Sequence, residues 1–446
     1  MDLSQVYSLR TDFTIIGLTG RTGSGCSMIS NMLTNDFEVL KKGGLRDPLS
    51  SIDFDDPVFQ RKYQISYNYL SHPDNWSKFD CINYKDVLLF IILKKIGKTA
   101  DLLKPSLSKH YKEIKGENNT KIVEDLLQEL NKILNSSKNS SIVNKFIVIH
   151  NTKISTLKSK TSLLNLNDIF FSDEFRSISL EFFDALEKFG YSRRTKFLHH
   201  IACNLRGHGQ LKEGKNYDIK HIYTIVEIIN RLIKARRLYN TEQKNTKTKV
   251  VIDSLRNSLE IMFFKERYSG FYLIATKDVL GNSRARVEDR LRVKKYSETE
   301  IGNITKFLFR LDEVEYKTND FNVGEFSSPD VENCIQKSDY HIINLKLTDL
   351  NNPRFQKNTF FTREEQLMKL LSLIMQPGII TPSAVERCMQ IANTAKLNSG
   401  CISRKVGAVI TDSNYVVRSI GWNDVAKGQT PCNLRNVENF SQKQKT

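Results

Sequence analysis

Long apolar runs are what this 446-residue chain has least of. The densest, VLLFIIL from Val87 to Leu93, is far too short to span a bilayer, which takes about 20 predominantly apolar residues. The N-terminal MDLSQVYSLRTD mixes acidic and polar residues and has no apolar stretch of the kind a secretory signal carries, so a cytoplasmic location without membrane contact is expected. Cysteine is sparse too: seven residues, an odd number, with no C-x-x-C pair. No disulfide scaffold is expected, only reduced thiols packed as small hydrophobes. Negative charge is also in short supply. Sixty-seven Lys and Arg against 50 Asp and Glu leave a net charge of +17, which attracts polyanions such as nucleotides, RNA or DNA. The lysines are scattered among asparagines and serines, however, so a basic surface that contacts RNA and a plain solvated surface both stay open.

One further absence falls inside a motif. GLTGRTGSGCS, Gly17 to Ser27, has the spacing G-x-x-x-x-G-K-[ST] at Gly20, Gly25 and Ser27, but Cys26 stands where the lysine belongs. FTIIGLTG before it reads as a strand, and CSMISNMLTNDF after it as a helix with Met28, Met32 and Leu33 at helical spacing. Loop amides and a helix N-terminus then converge on an anion. The candidate nucleotide-binding residues are Gly20, Arg21, Thr22, Gly23, Ser24, Gly25, Cys26 and Ser27. A phosphate-loop lysine matters most during phosphoryl transfer, so this loop is expected to bind phosphates, with magnesium at Ser27, without transferring them. The bland alternative is a glycine turn that binds nothing. Cys26, at a helix N-terminus, is expected to have a lowered pKa.

Asp253 ends the apolar run VVID as a Walker-B-like carboxylate for magnesium, with Arg256 three residues on. GFYLIAT and YHIINL read as further strands, and HIYTIVEIINRLIKARRL as a helix. Continuous apolar strands alternating with helices predict an α/β fold, a parallel sheet with helices on both faces. The polar stretches KGENNTK (115–121), NSSKNSS (135–141) and NTEQKNTKTK (240–249) read as surface loops or insertions. In NSRARVEDRLRVKK, Arg286 and Arg290 share one helical face as in arginine-bearing kinase lids; an exposed helix paired with Glu288 and Asp289 fits equally well. Arg206 in NLRGHG is placed to reach a phosphate, whereas His199, His200 and His208 have no metal-ligand spacing and read as surface or packing residues.

Pro377, Gly378 and Pro382 break the pattern, and Ser383 with Glu386 has capping-box spacing for a new helix. That helix carries an apolar stripe at Val385, Cys388, Met389, Ala392 and Ala395, followed by a hairpin, RKVGAVIT and YVVRSIGWN. Two domains are expected, 1–377 and 378–446.

On these residues, GLTGRTGSGCS, VVIDSLRN and SDYHIINL make the first domain similar to P-loop nucleotide-monophosphate-kinase-like domains. SGCISRKVGAVITD and RSIGWND make the second resemble the start of a deoxycytidylate deaminase. The combination, over roughly residues 10–435, resembles the two-domain bacterial anti-phage dCTP/dCMP deaminases, in which a kinase-like domain precedes a zinc deaminase. The resemblance implies hydrolytic deamination of deoxycytidine nucleotides at a zinc held by one histidine and two cysteines. It also implies a regulatory nucleotide (dCTP, dCMP, ATP or another dNTP), a homo-oligomer, and nucleotide contacts from Asn423, Arg404 and Lys405. The sequence departs from that pattern. No histidine follows His341, and Arg435 occupies the second cysteine position of TPCNLR. No catalytic residue and no metal ligand is therefore assigned, and a truncated, inactive form is expected. A nucleotide kinase and a basic RNA-binding regulator are the competing readings.

Overall fold

The structure, a computed structural model, describes residues 10–46, 57–111, 119–278, 280–313, 323–346, 362–402 and 404–434. The chain divides into two compact units, Met1–Pro377 and Gly378–Thr446. In the first, β1 (Phe13–Gly20), β2 (Asp80–Asn83), β3 (Thr248–Asp253), β4 (Phe271–Lys277) and β5 (Tyr340–Ile343) form one sheet in the order β2-β3-β1-β4-β5. Every pairing is parallel. This is the α/β sheet that the continuous apolar runs predicted.

Side chains alternate across a strand, and here each face has its own core. Ile15, Ile82, Val250, Ile252 and Leu273 join one apolar cluster, while Ile16, Leu18, Val251, Ile274 and Ile342 join another. The helices that matter for the site are α1 (Cys26–Thr34), α2 (Tyr84–Ile96), α3 (Asp173–Lys188), α4 (Tyr191–His208), α5 (Tyr223–Glu242), α6 (Ser258–Arg267), α7 (Leu280–Val293), α8 (Glu298–Asp312) and α9 (Arg363–Met375). α1 and α9 cover one face through Ile29, Leu33, Leu367 and Leu371. The other face is covered largely by helices inserted between β2 and β3, α2 to α5 among them. VLLFIIL forms the middle of α2, with all seven residues buried, as a helix enclosed on every side requires.

The expected loop NSSKNSS is instead a tight joint between helices Asn119–Leu134 and Ser140–Val148. Asn139 is buried there, and its amide donates to the Ile133 carbonyl at 3.1 Å and to Glu181 at 2.8 Å. Short polar side chains that bond to nearby backbone close such joints, and composition alone does not separate them from solvated loops. NTEQKNTKTK is likewise shorter as a loop than expected, since α5 runs to Glu242 and β3 begins at Thr248. Residues 115–118 of KGENNTK lie outside the described residues, and its last three begin a helix.

The second unit comprises α10 (Ala384–Ala395), capped by the Ser383–Glu386 box, and the antiparallel pair β6 (Gly407–Thr411) and β7 (Val417–Trp422). A Cβ at Gly407 would stand 2.0 Å from the Ala392 carbonyl oxygen, so the hairpin can approach α10 this closely only at a glycine. The contact falls at the C-terminal end of α10. Of the predicted stripe only Ala395 is buried, and Val385 and Met389 are exposed.

Candidate nucleotide-binding site

The strand order puts β1 between β3 and β4, the place where the chain switches sides and where open α/β sheets bind ligands beyond their carboxyl ends. The loop from Arg21 to Gly25 leaves β1 there. Gly25 has φ 115°, in the left-handed region that favours glycine, and a Cβ on it would meet the Asn344 side-chain amide at 2.8 Å. Three neighbours hold the loop. Asn344 Nδ2 donates to the Ser24 carbonyl at 3.1 Å, Thr276 Oγ1 shares a hydrogen with Ser24 Oγ at 2.6 Å, and Arg286 Nε donates to the Gly23 carbonyl at 3.0 Å.

Ser27 Oγ donates to Asp253 Oδ2 at 3.3 Å, so the two residues picked out for magnesium meet although 226 positions separate them. Asp253 is buried, which raises its pKa above the ordinary carboxylate value, and it also accepts from Ser254 Oγ at 3.0 Å. Cys26 corrects an expectation. Its thiol is pushed up to about 11, by burial first and then by the Asp253 carboxylate, although it sits at a helix N-terminus. Its Sγ lies 3.1 Å from Thr276 Oγ1, and the residue lines the cavity beside the loop.

A cavity of about 420 Å³ opens on the loop, within the usual range of roughly 300–1,000 Å³ for small-ligand sites. Its apolar lining comes from Leu88, Phe183, Tyr191, Leu198, Leu308 and Leu311. Seven cations also line it, Arg21, Lys85, Arg194, Arg206, Arg256, Arg286 and Arg290, and among the described residues no carboxylate does. Five of the seven are paired: Arg21 with Glu332 at 3.0 Å, Arg194 with Glu187 at 2.5 Å, Arg206 with Glu260 at 3.0 Å, Arg256 with Asp312 at 2.6 Å, and Arg286 with Asp278. The arginines of α7 divide between two surroundings, and Arg286 pairs with Asp278 instead of Glu288 or Asp289. Arg284 and Arg292 pair with Glu288, while Arg286 and Arg290 line the cavity.

Arg206 does not serve as a phosphate arm. It is 2 % exposed and donates to Glu260, to Tyr84 Oη at 2.8 Å and to the Ser327 carbonyl at 2.8 Å, anchoring α4 to α2 and α6. His199, read as a packing residue, lines the cavity. Burial and then Arg206 push its pKa down to about 4, so it is neutral at pH 7. Sequence reasoning missed Thr276, Asn344, Lys85 and Asp312. Asp312, the last residue of α8, accepts from the Thr22 amide, and nothing in its local sequence marks it.

No family model matches the chain, and neither a curated protein nor a solved structure does. In the second unit Asn423 Oδ1 accepts from Ser399 Oγ at 2.9 Å and from the Val406 amide at 2.7 Å, while its Nδ2 donates to the Arg404 carbonyl at 2.8 Å. That side chain braces the segment carrying Arg404 and Lys405, both of which are exposed. Residues 378–446 contain Cys388, Cys401 and Cys432 and no histidine. Among the described residues no three His, Cys, Asp or Glu side chains come together as a metal-holding group. The residues present do not fit a one-histidine, two-cysteine zinc site. Also among the described residues, no helix is long and apolar enough to cross a membrane.

Proposed function

We propose that the first unit binds a nucleoside triphosphate with magnesium and holds it without transferring its phosphate. The observation that carries this reading is the Ser27–Asp253 contact, which closes a phosphate-type loop at the mouth of a cavity lined by cations and no carboxylate. The apolar side chains suit a base and sugar, and the loop and the arginines suit phosphates. Ser27 and Asp253 are hard oxygen donors of the kind magnesium takes, and the ion would neutralise phosphate charge there. The reading of retention without transfer rests on Cys26, which places a neutral thiol where transfer would use a cation. This supports a P-loop-kinase-like architecture turned to sensing.

For the whole chain the proposal is an anti-phage deoxycytidine nucleotide deaminase line, with the bound nucleotide regulating the second unit and with the zinc chemistry missing from this sequence. Its support is the motif pair SGCISRKVGAVITD and RSIGWND. A site that binds without reacting still biases a neighbouring unit if the ligand distinguishes two states. Calorimetry of the full chain with ATP, dATP, dCTP and dCMP, with and without magnesium, tests the first part. Magnesium-dependent binding of a triphosphate with no steady release of diphosphate is expected. Absence of binding removes the reading, and sustained turnover replaces it with a kinase. Zinc content and conversion of dCTP and dCMP to their uracil counterparts test the second part. Neither stoichiometric zinc nor turnover is expected from these 446 residues.

A further inference from the structure

The loop lacks its lysine, yet a triphosphate carries most of its charge on the outer phosphates, so a site that binds one needs cations from elsewhere. Of the seven cations that line the cavity, five are neutralised by the carboxylates described above. Among the described residues only Lys85 and Arg290 face it without a carboxylate within ion-pair distance. Their placement follows from the topology. Asn83, the last residue of β2, is the register partner of Asp253 in β3, and neighbouring strands lie about 4.8 Å apart. Lys85, two residues later in the first turn of α2, therefore emerges at the carboxyl edge beside Asp253 and Ser27. The Lys85 ammonium lies 5.3 Å from the centre of the Phe183 ring in the apolar lining, which keeps it over the cavity. Arg290 approaches from α7, one turn beyond the Arg286 that grips the loop.

The geometry points to Lys85 and Arg290 as the pair that binds the outer phosphates of a nucleoside triphosphate, Lys85 supplying from α2 the charge that Cys26 leaves out of the loop. The inference rests on the reading of this cavity as a nucleotide site and adds the residues that select triphosphate over monophosphate. It also assigns the uncompensated charge of the cavity to one task. Arg256 and Arg286 hold the loop through Asp312 and Gly23, whereas Lys85 and Arg290 hold the ligand.

The test is calorimetric titration of the full chain and of its Lys85→Met, Lys85→Arg, Arg290→Ala and Arg284→Ala variants with magnesium-ATP and with AMP. Lys85 is an exposed side chain on a helix surface, so its variants should fold, which thermal melts of each protein check. Loss of one charge-assisted contact is expected to weaken ATP binding about ten- to a hundredfold in Lys85→Met and in Arg290→Ala. AMP binding is expected to change less than about threefold. Lys85→Arg should recover most of the ATP affinity, and Arg284→Ala, which alters the exposed side of the same α7, should leave both ligands unaffected. If the unaltered chain binds ATP and Lys85→Met binds it equally well, or if Lys85→Met loses ATP and AMP alike, this inference is wrong while the nucleotide site stands. If the unaltered chain binds no nucleotide, the site itself falls, and this inference with it.

Discussion

The carboxylate of Asp312 lies 2.5 Å from the amide nitrogen of Thr22, 290 positions away in the chain. A loop amide of the kind that cradles phosphate thus holds an internal anion, and the same carboxylate pairs with Arg256 at 2.6 Å. Asp312 is 2 % exposed, so α8 is latched to the loop by a partly buried, charge-assisted contact. A phosphate bound by the loop would compete with Asp312 for both partners.

Asp312→Asn keeps the shape and removes the charge. It is expected to bind magnesium-ATP at least about threefold more tightly, because a neutral acceptor gives up the amide and Arg256 more readily. It is also expected to melt at a lower temperature, since the half-buried Arg256 has lost its counter-charge. Calorimetry and a thermal scan on one preparation check both. Weaker binding would mean that the pair shapes the site instead of occupying it.

Ser27→Ala and Asp253→Asn should each reduce magnesium-dependent affinity for a triphosphate about tenfold, while binding measured in EDTA stays within about twofold. On the proposed reading the Ser27–Asp253 pair would offer oxygens to the ion, whereas the loop amides would act without it.

Alkylation by iodoacetamide reads the state of Cys26. With its pKa at about 11, the thiol should react at pH 7.5 at least about tenfold more slowly than glutathione in the same solution, since the thiolate is the nucleophile. Its rate should climb steeply as pH approaches 11. Peptide mapping by mass spectrometry follows this site, and a fast-reacting Cys26 at pH 7.5 would contradict its packing against Thr276.

Lys249 supplies a pH signature. It is 4 % exposed in β3 beside the Phe79 ring, and burial first, then Lys247, pushes its pKa down to about 7 from an ordinary 10.5. Between those values the unfolded chain binds the extra proton, so this group makes stability rise with pH from about 7. Above about 9 the raised pKa of Cys26 and of Cys81 acts in the opposite sense, because the folded state keeps protons that the unfolded chain releases. Lys249→Met is therefore expected to raise the melting temperature by about 2–6 °C at pH 7 and to flatten the climb between pH 7 and 9. Melting curves across that window check it.

Much of the site was legible in the chain because it is built from local signals. The glycine loop, Ser27 and the strand-ending Asp253 each follow from spacing or from an apolar run, and the structure brings Ser27 Oγ to 3.3 Å from Asp253. Arg286 and Arg290 were legible as one helical face, though not which face of α7 would meet the loop. Arg206 and Cys26 were misread for one reason. Each has a functional-looking neighbourhood in sequence, and burial decided its role: a counter-charged anchor on Glu260 in one case, a protonated thiol under Thr276 in the other.

The sequence by itself determined the parallel α/β sheet, since strands apolar on both sides cannot stand without helices on both faces. It determined the loop conformation at Gly25 and the break near Pro377 as well, because glycine and proline act on the backbone where they occur. Only the tertiary structure decided which cations are free to bind and which are already neutralised. Lys85 and Arg290 differ from Arg206, Arg256 and Arg286 only in what lies beside them once the chain is folded. The reason is physical: charge compensation at this cavity depends on distances of 3.0 Å or less between residues up to 311 positions apart, and no local pattern encodes such a pairing.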